Sequence, residues 1–245
     1  MRHIIRLSLS KKVQSDLDDE QETVNRMRSE QKLVADAHWK LARKRRLIDQ
    51  EILPVLKQMS GIRQRCMYCS DSHGTDIEHF WPKATYPERM FVWLNLLLCC
   101  TQCGRHKGNR FPLQAGESLL IDPTIDAPWD FLDFDPATGN LTPRFSIQSD
   151  DWEPKGDETV KILCLDQREA VAAGYQRTYK RLSSILEQFF ENRRGGDSLI
   201  ESLFEADDHG LLGWFICGNG QSESLSRRLK DEFPVKWAEL QNRIR

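Results

Sequence analysis

The sequence has no apolar run approaching the ~20 residues that a membrane-spanning helix needs. Its longest candidate, residues 94–100, is interrupted by Asn95. The start, Met1-Arg2-His3-Ile4-Ile5-Arg6, lacks the long apolar stretch of a secretory signal. An intracellular location and no membrane partner are therefore expected. An excess of charge is also missing, since 35 Lys and Arg against 37 Asp and Glu leave a net charge of −2. A globally basic footprint for nucleic acid is excluded, although a local one is not. No repeat or low-complexity tract is evident, which excludes a repeat architecture. The seven cysteines are poor disulfide candidates in the reducing compartment expected here.

What is present fits a globular but polar chain of 245 residues, 39% hydrophobic and 29% charged, enough for one large domain or two small ones. The charge is unevenly divided. Residues 1–112 hold 20 basic and 13 acidic side chains, a net of +7, and residues 113–245 hold 15 and 24, a net of −9. Only the first half is suited to face a polyanion.

Residues 1–10 alternate apolar and polar (Ile5, Leu7, Leu9) and suggest a short strand. Over residues 11–59 the pattern is helical: Val13, Leu17, Val24, Met27, Val34, Ala37, Leu41, Ile48 and Ile52 recur at helical spacings. Pro54 is expected to kink or end this long helix. Its basic run Arg43-Lys44-Arg45-Arg46 is either a solvated face or a phosphate or partner contact. Its apolar stripe packs on the C-terminal helices or on a partner. Residues 113–157 are rich in turn signals, including Asp122-Pro123, Thr138-Gly139-Asn140 and Pro154-Lys155-Gly156, with a short strand expected at 119–121. The helical period returns at Glu158, with one or two helices ending near Gly195-Gly196, another over 198–204 and a last one over 222–244.

Five of the seven cysteines lie between Cys66 and Cys103. Cys66-Met67-Tyr68-Cys69 and Cys100-Thr101-Gln102-Cys103 share two-residue spacing, which lets both thiolates of a knuckle reach one ion. A structural Zn²⁺ on Cys66, Cys69, Cys100 and Cys103 is expected. Cys99 leaves a register ambiguity, and the repeated spacing favours Cys100 over it. Cys164 and Cys217 stand in apolar surroundings that suggest the core.

Between the cysteine pairs lie Asp76-Ile77-Glu78-His79-Phe80-Trp81-Pro82-Lys83 and Trp93-Leu94-Asn95-Leu96, followed after Cys103 by Lys107-Gly108. This arrangement resembles the HNH endonucleases, also called ββα-metal nucleases. The resemblance implies an α+β fold, mostly α-helical, with a zinc-clamped ββα core between an N-terminal long helix and a C-terminal helical region. The expected divisions are 1–60 as a helical arm suited to a partner, 61–112 as the core, and 113–245 as the acidic, turn-rich and then helical remainder. The implied activity is hydrolysis of phosphodiester bonds with Mg²⁺ or another divalent cation. By this resemblance His79 is the general base, Glu78 the ligand of the catalytic cation, Asn95 the residue that holds the loop and His79, and Asp76 a support for Glu78. Adjacent strand residues point to opposite faces, so Glu78 and His79 need a distorted strand end to converge on one phosphate. Arg105, Lys107 and Arg110 are candidate nucleic-acid contacts, with Lys107 able instead to bind a helix-packing carbonyl.

One departure stands out. The family places Asn or His directly after the last cysteine as a second ligand, and this chain has Gly104. His106 and Asn109 are nearby, two and five residues on, where a regular helix turns both off the face of position 104, so either the helix is distorted or water or another carboxylate completes the site.

A narrower resemblance rests on Glu78-His79-Phe80-x-Pro82-Lys83, Tyr86-Pro87, Trp93-x-Asn95-Leu96-Leu97-Leu98, Lys107-Gly108-Asn109-Arg110-Phe111-Pro112 and Leu120-Ile121-Asp122-Pro123. Together these are similar to the HNH nuclease subunit, PtuB-like, of Septu anti-phage systems, also found with some retrons. The implied partners are an ABC/SMC-like ATPase (PtuA-like), a nucleic-acid substrate that is DNA or tRNA, and, in a retron version, a reverse transcriptase with its RNA–DNA product. The implied location is the bacterial cytoplasm. Two competing readings remain. One is a non-catalytic zinc module that binds nucleic acid or a partner, which Gly104 favours. The other is a scaffold whose acidic half docks a basic partner.

Overall fold

The computed structural model describes residues 1–192 and 198–244. The chain forms two compact units. One comprises Ile4–Tyr68 and Ser72–Leu113, and the other comprises Met1–His3, Cys69–Asp71 and Gln114–Arg245. Residues 4–60 thus share a unit with residues 72–113. Among the described residues, no helix is long and apolar enough to cross a membrane.

The first unit begins with extended chain rather than the expected strand. Residues 4–10 join no ladder. Side chains tie them down instead. The Arg6 guanidinium donates to the carbonyls of Leu96 at 2.7 Å and Leu94 at 3.2 Å, and the Trp93 indole donates to Leu7 O at 2.9 Å. α1 follows, over Lys11–Ser29, opened by the Ser10 hydroxyl accepting from Val13 N at 3.3 Å. It buries Leu17 and Val24 against the turn Pro87–Arg89 and a π-helical turn at Leu47–Ile52. The Leu17, Val24, Ile48 and Ile52 part of the apolar stripe is therefore covered within its own unit, whereas Val34 and Leu41 are exposed.

The expected long helix over 11–59 is broken twice. Gln31 adopts a left-handed backbone (φ 57°) and Lys32 N donates to Met27 O at 2.8 Å, a helix-ending arrangement that glycine usually signals. α2 then covers Ala35–Ala42. Residues 43–46 turn, the π-helical turn follows, and α3 runs over Leu53–Met59. Pro54 falls in the first turn of α3, directly after the π-helical turn, so the chain stays helical through it but changes helix type there.

β1 (Asp76–His79) pairs antiparallel with β2 (Leu96–Cys99), Asp76 opposite Cys99 and His79 opposite Leu96. α4 (Thr101–Lys107) starts two residues after β2 and contacts β1. All of β2 is buried and α3 packs on it, which explains the unbroken Leu96-Leu97-Leu98 run. The local order is thus strand, strand, helix.

Beyond α4 come short paired strands: β3 (Leu113–Gln114) with β4 (Glu117–Ser118), β5 (Leu132–Phe134) with β6 (Leu141–Pro143), and β7 (Phe145–Ser146) with β8 (Asp151–Trp152). The strand expected at 119–121 does not form, because Ile121 N is taken by the Thr159 hydroxyl at 2.9 Å. The turn expected at 154–156 is the opening of α5 (Pro154–Leu163), with proline in its first turn.

α6 covers Glu169–Asn192. The helix end expected near Gly195-Gly196 lies outside the described residues. α7 spans Leu199–Ala206 and α8 spans Leu211–Cys217. α8 was not anticipated: six consecutive buried residues from Leu211 to Ile216 carry no amphipathic period. The single helix expected over 222–244 is two, α9 (Ser224–Glu232) and α10 (Pro234–Ile244), because Pro234 cannot continue a helical ladder. Tyr175, Leu182, Leu203, Trp214, Leu229 and Leu240 form the core of this unit. Cys164 and Cys217, expected in the core, are half-buried.

Candidate functional site

The cysteine framework is the first element of the site. Met67 N donates to Leu98 O at 2.9 Å and Cys66 N to Ser72 O at 2.8 Å, which fixes the first knuckle. In the second knuckle Cys103 N donates to Cys100 Sγ at 3.4 Å, so Cys100 also caps α4. The Sγ atoms of Cys66, Cys69, Cys100 and Cys103 all lie within 4.8 Å of one another, and all four residues are buried. A tetrahedral Zn²⁺ with Zn–S near ~2.3 Å requires S···S edges of about 3.8 Å, so the donor set can hold a metal such as zinc with little adjustment. Cys99 lies outside this cluster, which settles the register in favour of Cys100.

β1 sorts the remaining candidates by face. Asp76 and Glu78 share one side, together with their cross-strand neighbours Cys99 and Leu97. α4 covers this side. Lys107 on α4 is completely buried, and its ammonium donates to Glu78 Oε1 at 2.8 Å and to His79 O at 2.8 Å. Lys107 therefore makes the helix-packing carbonyl contact and does not face solvent. Burial raises the Glu78 pKa, and the Lys107 charge and hydrogen bond oppose that rise. Glu78 Oε2 makes no hydrogen bond among the described residues, and the side chain keeps 16% exposure. Gly104 lies directly above, where a β-carbon would sit 3.6 Å from Glu78 Oε2 and 3.3 Å from Cys99 Sγ. Burial, then the Glu78 charge, drive the Cys99 thiol pKa well up.

Asp76 is held by three groups. Arg43 donates to Oδ1 at 3.0 Å, and the hydroxyls of Thr101 and Thr75 donate to Oδ2 at 3.2 and 3.3 Å. Two neighbours of Arg43 are also engaged, Arg45 with Glu20 at 2.6 Å and Arg46 with Glu51 at 3.3 Å. The basic run is thus largely spent on carboxylates within its own unit.

His79 leaves β1 on the opposite side from Glu78. Its Nε2 lies 3.0 Å from Met90 O. A carbonyl can only accept, so Nε2 carries the proton and the lone pair of the neutral ring is on Nδ1. Trp39 of α2 meets the ring edge-on at 4.3 Å. Burial, then the Lys83 charge, lower the His79 pKa to about 3, against the pull of the Met90 carbonyl. The β1 ladder stays regular through His79, so the expected distortion is absent from β1 itself.

Asn95 clamps the loop between the strands. Its Oδ1 accepts from Trp81 N at 2.7 Å, and its Nδ2 donates to Trp81 O at 3.1 Å and Arg89 O at 2.8 Å. Its own carbonyl accepts from Phe80 N at 2.9 Å, one residue past His79. His106 is half-buried on α4, and Arg105 and Arg110 are exposed. Two residues along a helix is a turn of about 200°, which points His106 away from the Gly104 side. Among the described residues, no cluster of three or more metal-ligating side chains includes Glu78 or His106. Trp39, Met90 and the Cys99–Gly104 contact were not anticipated. Only Cys99 had a sequence signal, as a register ambiguity.

No family model matches this chain. The chain is similar to a curated protein, the Septu protein PtuB of Bacillus thuringiensis, with 32% identity over 117 residues. That match covers 46% of this chain and 40% of the relative, so the chain spans about two fifths of the relative's length. The chain is thus similar to a PtuB of a Septu system, the same group to which its motifs point.

Proposed function

We propose that this chain is a metal-dependent endonuclease of the HNH type, acting in an anti-phage Septu-like complex. The observation that carries the reading is the acid–His pair that ends β1, with Asn95 clamping the following loop and the four-cysteine cluster beside it. The similarity to a Septu PtuB supports the setting.

In this reading His79 is the general base. Its hydrogen bond to Met90 O fixes the tautomer with Nδ1 as the acceptor, the nitrogen that would take the proton of the attacking water. Glu78 and His79 end β1 on opposite faces of a regular ladder, so this reading requires the strand end to distort when substrate binds for both to act on one phosphate. The donor set fits a divalent cation at one atom: Lys107 bonds only Oε1 of Glu78, which leaves Oε2 without a hydrogen bond among the described residues. A cation held there supplies charge relief on the phosphate and the leaving oxygen. Asn95 fixes the backbone from Phe80 to Trp81 and so the exit of His79 from the strand. Arg105 and Arg110 are the exposed cations suited to the substrate backbone. The ATPase partner, the retron components and the choice of DNA or tRNA belong to this proposal by resemblance alone.

The test is direct. Purified chain, alone and with its ATPase, is incubated with supercoiled plasmid and with tRNA, with and without Mg²⁺ or Mn²⁺. Cleavage is expected only with divalent cation, and His79→Ala is expected to abolish it while leaving bound zinc unchanged. Equal cutting by the Ala variant sinks the assignment. Salt-sensitive binding without any cleavage favours a zinc module that only binds nucleic acid, the reading that Gly104 supports.

A further inference from the structure

We infer that Cys99 is a ligand of the catalytic cation, taking the place of the side chain missing at Gly104, and that the site therefore selects a thiophilic divalent ion. The inference rests on the nuclease reading for the word catalytic. The binding site itself rests on geometry.

Charge is the first argument. Lys107 is fully buried and bonded to Glu78 Oε1, so the Glu78 charge is already balanced by an ammonium at 2.8 Å. A dication brought to Oε2 beside that ammonium needs another anion. Asp76 is on the same face, but Arg43, Thr101 and Thr75 already hold its carboxylate. Cys99 is the remaining group on this face that can supply negative charge. It is 1% exposed, its thiol makes no hydrogen bond among the described residues, and it is not one of the four clustered cysteines.

Space is the second argument. The point where a Gly104 β-carbon would stand is 3.3 Å from Cys99 Sγ and 3.6 Å from Glu78 Oε2. The two donor atoms therefore flank one small cradle, and its roof is a residue with no side chain. A side chain at 104 would crowd the sulfur, whereas glycine leaves the space between the two donor atoms unfilled. The cysteine and the glycine thus explain one another. On coordination the thiol gives its proton to solvent, and the ion gains a thiolate and a carboxylate oxygen, with water completing the shell. A mixed sulfur and oxygen set suits Zn²⁺ or Co²⁺ better than Mg²⁺.

The experiment uses the full chain loaded with one zinc, titrated with Co²⁺. Cobalt binds thiolate sites more weakly than zinc and leaves the zinc of the four-cysteine cluster in place. Bound cobalt per chain is measured after gel filtration, with the near-ultraviolet absorption that only a cobalt–thiolate bond gives. One cobalt beyond the zinc is expected, carrying the thiolate band. Cys99→Ser should lose the band and bind cobalt at least about tenfold more weakly, with Glu78→Gln weakened similarly. Gly104→Ala keeps both donors, narrows the cradle and should also weaken binding. Wild-type chain that takes up no second ion, or takes one without the band, overturns the inference, as does a Cys99→Ser chain that keeps the band. Should Cys99→Ser lose its zinc, the wild-type spectrum and Gly104→Ala decide alone. None of these readouts depends on cleavage, so loss of the nuclease reading through His79→Ala is a separate result.

Discussion

At the scale of single residues, one strand separates the chemistry by direction. Glu78 and His79 are neighbours in sequence, yet the pleat turns one toward Lys107 and Gly104 and the other toward Trp39 and Met90. The acid–His pair and the cysteines were legible in the sequence because their chemistry follows from residue type and spacing. The surroundings that tune them were not, because Trp39 and Met90 reach His79 from segments with no motif. Those surroundings have a measurable consequence. In the unfolded chain His79 titrates near its ordinary value of 6.5, and in the folded chain near 3. Between those values the unfolded state binds the extra proton, so the contribution of His79 to stability is complete above pH 6.5. It falls by about 1.4 kcal/mol per pH unit as the pH drops toward 3. Urea unfolding from pH 7 to pH 4 should therefore show a shallower pH slope for His79→Asn than for wild type. Any loss of zinc in acid is shared by the two proteins, so equal slopes would mean that His79 is not held neutral by burial.

At the scale of elements, the parts that were legible are those with a strong local signal. The ribbon and helix around the cysteines follow the motif order, and helices α5, α6 and α7 lie near their expected positions. The parts that were missed have their stop signals hidden. Gln31 closes α1 in a conformation that usually calls for glycine, and α8 is too evenly apolar to show a period. The loop between β1 and β2 is a third case, since no regular structure holds most of it. Asn95 does so, with three side-chain hydrogen bonds to the backbone of Trp81 and Arg89, in a residue only 3% exposed. Truncation leaves those backbone groups without partners. Asn95→Ala is therefore expected to cost about 3 kcal/mol in chemical denaturation and to lower cleavage, with the zinc content unchanged. Asn95→Asp keeps the acceptor for Trp81 N but turns a carboxylate toward two carbonyls, so it should not rescue stability. Rescue by Asp would show that the amide donors are dispensable.

At the scale of the whole molecule, the small net charge of −2 is the sum of two opposed fields, +7 over residues 1–112 and −9 over residues 113–245. The positive part is smaller in practice than the count suggests. Lys107 is buried on Glu78, and Arg43, Arg45 and Arg46 are each paired with a carboxylate. Free nucleic acid therefore meets a weakly attractive segment and a strongly acidic one, which favours engagement only when a partner or a specific structure adds affinity. Such long-range repulsion is screened over about 10 Å at ~0.1 M salt, so it acts mainly at low ionic strength. Asp150, Asp151, Asp166, Glu169 and Glu187 are exposed, and changing them together to Asn or Gln removes five negative charges without touching the core. In a His79→Ala background, this variant should bind a labelled nonspecific duplex several-fold more tightly than its parent at ~50 mM salt, with the two converging by ~200 mM. Fluorescence anisotropy across that salt range gives the comparison. Equal affinities at the low-salt end would mean that the acidic half does not hold nucleic acid off, and would leave the docking of a basic partner as its remaining role.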